Sequence, residues 1–122
     1  MKVLADTSVW IDHFRSPDPQ LIAGVAAGWI ACHDFILAEL ALGSVPDRQR
    51  LLAALSALPT VQPVSTTALL AFIEQNDLPA KGIGFVDAHL LAAVSQSGST
   101  RLWTRDKRLA QQAERLGLGA NP

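Results

Sequence analysis

The hydrophobic residues of this chain fall into two patterns, short continuous runs and longer stretches with helical spacing. Continuous runs are typical of strands that are covered on both faces, because such strands present no polar side. Runs at residues 3–5 and 29–32, and short segments rich in apolar residues at 61–64 and 101–104, predict strands. Spacing by three and four positions predicts helices at 7–14, 20–27, 35–42, 66–76, 86–97 and 106–116, and one more between Asp47 and Pro59.

Residues at the ends of these segments support the assignment. Asp34 is expected to cap the helix at 35–42, and Asp106 opens the last helix. Gly28 and Gly43 follow helical stretches, where glycine commonly ends a helix. Short strands that alternate with helices favour an α/β sandwich with a mainly parallel sheet.

Composition is that of one globular domain, expected over residues 1–122. Hydrophobic residues make up 49% and charged residues 17%, so the chain is not of the disordered type. The mean hydropathy of +0.23 is high for a small domain, which suggests that a partner covers part of the surface.

The formal net charge of −1 argues against a general electrostatic nucleic-acid binder. It is compatible with an enzyme that contacts RNA locally. Half of the basic residues lie near the C-terminus, and they indicate either a solvated helix surface or an edge that handles phosphate. They are Arg101, Arg105, Lys107, Arg108 and Arg115.

Cys32 is the only cysteine, so no disulfide can form within the chain. No apolar run approaches the roughly 20 residues that span a bilayer, and Asp6 interrupts the N-terminus too early for a signal peptide. A cytoplasmic protein without membrane contact is expected.

Four acidic residues are placed to meet at one end of the sheet. Asp6 directly follows the first strand and Asp106 lies two residues past the fourth, while Glu39 and Asp87 lie on helices. Ligands of open parallel sheets bind at the carboxyl ends of the strands. Clustered carboxylates repel one another, and a hard cation such as Mg²⁺ or Mn²⁺ relieves that repulsion.

Each of these residues also has a structural interpretation. Asp6 and Asp106 are suitable N-caps, and Asp87 lies in a first helical turn, where the helix dipole favours a carboxylate. Glu39 is the only charge in a very apolar helix, so it is either exposed on a narrow stripe or buried at a cost that needs a partner. The joint placement of the four residues favours a site.

Other polar and aromatic residues give weaker signals. The histidines lack the spacing of a zinc site, and Ser8 has no evident partners for a nucleophilic triad. The tryptophans are expected in the core or an interface and not as a platform for bases. These residues are His13, His33, His89, Trp10, Trp29 and Trp103.

Four motifs resemble those of PIN domains, in the same order along the chain. Residues 6–12 resemble the N-terminal signature, and Ala38 to Leu40 with Gly43 resemble the second acidic motif. Residues 82–93 resemble the third motif, and 102–109 carry the fourth, Thr-x-Asp-x-x-Leu. Within the family, the chain is most similar to VapC-like toxins of type II toxin–antitoxin systems. The residues before Glu39, His33-Asp34-Phe35, depart from the small hydroxyl residues usual there.

The resemblance implies a three-layer PIN-like sandwich with a central, mainly parallel sheet flanked by helices. It further implies an endoribonuclease that uses Mg²⁺ or Mn²⁺ and leaves a 5′-phosphate and a 3′-hydroxyl. An antitoxin partner and a homodimer are also implied. The matching acidic positions are Asp6, Glu39, Asp87 and Asp106, and the matching supporting hydroxyls are Thr7 and Thr104.

Two other functions fit parts of the sequence. A phospho-acceptor receiver domain has a similar length and an acidic Mg²⁺ pocket, but it needs an acidic pair after the first strand and a late lysine. Here Thr7 follows Asp6, and Thr104 and Arg105 occupy the late position. An inactive PIN-like scaffold that binds RNA is the second, and the complete acidic set argues against it.

Overall fold

A computed structural model describes all 122 residues and has a three-stranded parallel sheet at its centre. The strands are β1 (Lys2–Ala5), β2 (Ile30–Ala31) and β3 (Thr100–Trp103), in the order β2-β1-β3. Val3 of β1 is paired with Ile30 on one side and with Arg101 on the other. The predicted α/β class with a parallel sheet is confirmed.

Seven helices surround the sheet, each close to its predicted position. The helix α6 is the most deeply placed, with every residue from Ala88 to Val94 buried. No helix is long and apolar enough to cross a membrane. The helices are α1 (Thr7–Arg15), α2 (Pro19–Ala27), α3 (Asp34–Leu42), α4 (Arg48–Ser56), α5 (Thr66–Gln75), α6 (Phe85–Ser97) and α7 (Lys107–Arg115).

The strand predicted at residues 61–64 is wrong. A single parallel bridge forms just before this segment, between Cys32 and Thr60, and the amide of Val61 donates to the carbonyl of Cys32 at 2.9 Å. Pro59 and Pro63 flank that contact, and proline has no N–H to extend a ladder. Val61 and Val64 are nevertheless buried, which explains why the segment is apolar.

One predicted helix cap also differs. His33, and not Asp34, caps α3, because its Nδ1 accepts a hydrogen bond from the amide of Phe35 at 2.9 Å. Gly43 ends α3 without adopting a left-handed conformation, whereas Gly28 ends α2 with a φ of 82°. Asp34 becomes the first residue of the helix and is exposed.

Ser65 is expected to stabilise the start of α5. Its hydroxyl accepts a hydrogen bond from the amide of Ala68 at 3.1 Å. Ser65→Ala should lower the free energy of unfolding by about 1 kcal/mol in urea denaturation. The matched control is Ser95→Ala, at an exposed position within α6. This change should be neutral or slightly stabilising because alanine is the better helix former. Equal effects of both changes would contradict the capping role.

Candidate acidic site

Asp6 lies at the carboxyl end of β1 and is almost fully buried, with 6% of its surface exposed. It precedes α1, but its side chain makes no capping hydrogen bond. Instead, Oδ2 accepts hydrogen bonds from the hydroxyls of Ser8 at 2.9 Å and Thr104 at 2.8 Å. The interpretation of Asp6 as a simple helix cap therefore does not hold, and its carboxylate is fixed by two hydroxyl groups.

These two hydroxyls join β1 to the segment after β3. The Ser8 and Thr104 hydroxyl oxygens are 3.3 Å apart. Ser8 also accepts a hydrogen bond from the amide of Arg105 at 3.0 Å, and Thr104 accepts one from the amide of Asp106 at 3.1 Å. The sequence predicted the supporting place of Thr104. It missed Ser8, whose position two residues after Asp6 was the available signal.

Asp106 is exposed and caps α7, as its structural interpretation predicted. Its Oδ1 accepts hydrogen bonds from the amides of Arg108 at 3.0 Å and Leu109 at 3.1 Å. Its Oδ2 makes no hydrogen bond within the protein. One oxygen thus fixes the carboxylate while the other stays accessible.

Glu39 is exposed on α3, so the alternative of a buried charge is wrong. The helix turns Ile36 and Leu40 into the core, which leaves Glu39 on its accessible side. The hydroxyl of Thr7 donates to its Oε1 at 2.8 Å. This bond ties α3 to the start of α1, one residue after Asp6.

Asp87 is half-buried in the first turn of α6. The charges of the other three acidic residues all affect its pKa. Its pKa is raised to about 6, first by burial and next by the negative charge of Asp6, against a hydrogen bond from the backbone at Gly84 that lowers it. Asp106 and Glu39 add smaller increases in the same direction. All three other carboxylates are thus near enough to repel the charge of Asp87.

The four acidic residues lie toward one end of the sheet, but their carboxylates do not converge on one position. No three of them are gathered as the direct ligands of a single ion would be. No basic side chain is among the groups that shift the pKa of Asp87. The side-chain partners of Asp6 and Glu39 are hydroxyls, so the site offers oxygen atoms as ligands.

Arg105, which precedes Asp106, is engaged elsewhere. Its guanidinium forms ion pairs with Asp12 at 3.1 Å and with Asp18, and it lies 5.7 Å from the ring centre of Trp103. Arg115 likewise donates to the carbonyl of Asn76 at 2.7 Å. For these two arginines, the contacts favour a structural role over a phosphate-handling edge.

An aromatic cluster lies beside the acidic residues, and the sequence analysis did not anticipate it. It consists of His33, Phe35, Phe85 and His89, whose successive ring centres are 4.6–6.3 Å apart. Burial lowers the pKa of both histidines, which keeps them neutral. His33 Nε2 and His89 Nδ1 are buried without a hydrogen-bond partner.

Comparisons with known proteins agree with the geometry. The model of the "PIN domain" family matches residues 3–115. "Ribonuclease VapC32" from two strains of Mycobacterium tuberculosis is 39% identical over 116 residues, which cover 95% of this chain and 94% of the relative. The crystal structure of PAE2754 from Pyrobaculum aerophilum has the same fold, with a TM-score of 0.65 at 17% identity over 95% of this chain and 92% of the other.

Proposed function

This chain belongs to the PIN-domain family, and from that membership we propose that it is a divalent-metal-dependent endoribonuclease, the toxin of a type II toxin–antitoxin pair. The relative with 39% identity is named a ribonuclease, and the alignment runs over nearly the full length of both proteins. The receiver-domain alternative is disfavoured by the family match.

The fixed carboxylates at the carboxyl end of the sheet carry the proposal, because two hydroxyls hold Asp6 and the hydroxyl of Thr7 holds Glu39. The charge of Asp6 also contributes to the raised pKa of Asp87, which supports their closeness. The residues proposed to hold Mg²⁺ or Mn²⁺ are Asp6, Glu39, Asp87 and Asp106. Both ions prefer oxygen ligands, and Mg²⁺ keeps several of its waters, so direct contact with every carboxylate is not needed. The donor set therefore fits such an ion.

The protein's own part in the reaction is to fix these oxygens. A bound divalent ion would lower the pKa of a coordinated water and offset the charge of the phosphate. Ser8 and Thr104 hold Asp6 in one orientation, and Thr7 holds Glu39. Asp106 keeps Oδ2 available to accept a hydrogen bond from water at the exposed rim of the site.

Cleavage of single-stranded RNA by the purified protein tests the proposal. We expect cleavage in Mn²⁺ or Mg²⁺, with 5′-phosphate and 3′-hydroxyl ends on the products, and none in excess EDTA. Restoring Mn²⁺ to the same sample should restore cleavage, which controls for damage by the chelator. Undiminished cleavage in EDTA would contradict a metal-dependent site. RNA binding without cleavage under all conditions would favour the inactive scaffold.

An antitoxin and a second copy of the chain are the proposed protein partners. Several large hydrophobic side chains are exposed, among them Leu42 at 89% and Ile22 at 52%. Exposed apolar surface of this kind is typical of protein interfaces. Sedimentation of the purified chain would test the proposed homodimer.

A further inference from the structure

Phe85 exposes an aromatic ring at the edge of the acidic site. It is the first residue of α6, two positions before Asp87, and 65% of its surface is accessible. Single exposed hydrophobic residues are common on protein surfaces and need no explanation by themselves. Phe85 differs because it is aromatic and because its stacking partner Phe35 lies one helical turn from Glu39 on α3.

The ring of Phe85 is supported from behind by other aromatic rings. Phe35 stacks with it at 6.3 Å between centres and an angle of 23°, and His89 meets it edge-on at 4.6 Å and 75°. His89 is 4% exposed and also contacts Phe35 edge-on, at 4.7 Å. Such offset and edge-on arrangements are the favourable ones for aromatic pairs, so the ring is held in place before any ligand arrives.

This aromatic cluster is attached to the same helices as two of the carboxylates. Phe35 and Glu39 lie on α3, and Phe85 and Asp87 lie on α6. A group that contacts Phe85 is consequently held at a fixed place relative to the acidic residues.

We propose that Phe85 is a stacking platform for a nucleobase of the RNA substrate, next to the phosphate that is cut. This inference rests on the proposed ribonuclease function. Stacking on an aromatic ring accepts any base and needs no positive charge. It therefore suits a chain with a net charge of −1 whose site repels phosphate through its carboxylates. Bases of single-stranded RNA are free to stack in this way.

The test compares Phe85→Leu with Phe85→Trp, using a short single-stranded RNA with a fluorophore and a quencher in Mn²⁺. Phe85→Leu should raise KM about ten- to a hundredfold, because one base loses its aromatic partner. kcat should change little, since the base stacks equally in the ground state and the transition state. Phe85→Trp should retain the wild-type KM. The control Leu70→Ala alters another exposed apolar residue, 58% accessible on α5, and should leave both parameters unchanged.

Several results would overturn the inference. An unchanged KM in Phe85→Leu, with normal cleavage by the wild-type protein, would show that Phe85 is not a stacking platform. It would not contradict the proposed ribonuclease function. A loss of kcat alone would mean that Phe85 acts through Asp87. Dissociation of a dimer by Phe85→Leu, seen by sedimentation, would assign the ring to an interface between copies. Failure of the wild-type protein to cut RNA would overturn the proposed function and the platform together.

Discussion

Asp87→Asn is expected to lower RNA cleavage by at least about a hundredfold. The change keeps the size of the side chain but removes the charge that a divalent ion needs, and an ion at such a site supplies several kcal/mol of transition-state stabilisation. The measurement is the single-turnover cleavage rate in Mn²⁺. The matched control is Asp34→Asn, which changes an exposed carboxylate in the first turn of α3 and should remain active.

The same variant should be more stable than the wild-type protein at neutral pH in EDTA. The pKa of Asp87 is raised from 3.8 to about 6, so the folded state holds its proton more tightly than the unfolded state does. Its contribution to stability is therefore present below pH 3.8 and is lost as the pH rises through 6. The difference amounts to at most about 3 kcal/mol, and solvent at this half-buried site reduces it.

Urea denaturation at several pH values checks this sign. The stability of Asp87→Asn relative to wild type should increase between pH 4 and pH 7. The comparison must be made between the two proteins, because the lowered pKa values of His33 and His89 act on both in the opposite direction, by removing stability at low pH. A relative stability that falls over this range would contradict the raised pKa of Asp87.

Glu39→Gln is expected to weaken Mn²⁺ binding and RNA cleavage together, with cleavage reduced by about a hundredfold. The amide oxygen of glutamine can still accept the hydrogen bond from Thr7, so the variant removes the charge of the side chain while keeping its position. Because Glu39 is exposed, the metal-free protein should unfold at the same urea concentration as wild type. This replaces the expectation for a buried charge, whose removal would have stabilised the protein.

Thermal melts with and without Mn²⁺ measure the binding effect. A ligand that binds only the folded state raises the melting temperature, and the increase grows with the logarithm of its affinity, so the wild-type increase should exceed that of Glu39→Gln. Glu74→Gln, which changes an exposed residue of α5, serves as the control and should match the wild type. An equal increase in Glu39→Gln and wild type would show that Glu39 does not hold the ion.

The sequence by itself determined the helices, the parallel α/β class and the candidate acidic residues. Helices are set by contacts between neighbours along the chain, so their spacing is visible in the local sequence, as for α6, which was predicted at 86–97 and spans Phe85–Ser97. The places of Asp6 and Asp106 followed from the same logic, because each comes shortly after an apolar strand.

Tertiary structure decided everything that depends on residues distant in the chain. Apolar character alone did not distinguish residues 61–64 from a strand, because Val61 and Val64 are buried without a continuous ladder. Ser8 acquired its role only when it met Thr104, 96 positions away. The raised pKa of Asp87 and the aromatic support of Phe85 likewise arise between separate elements. Such contacts form only when folding brings distant segments together, and no local pattern encodes them.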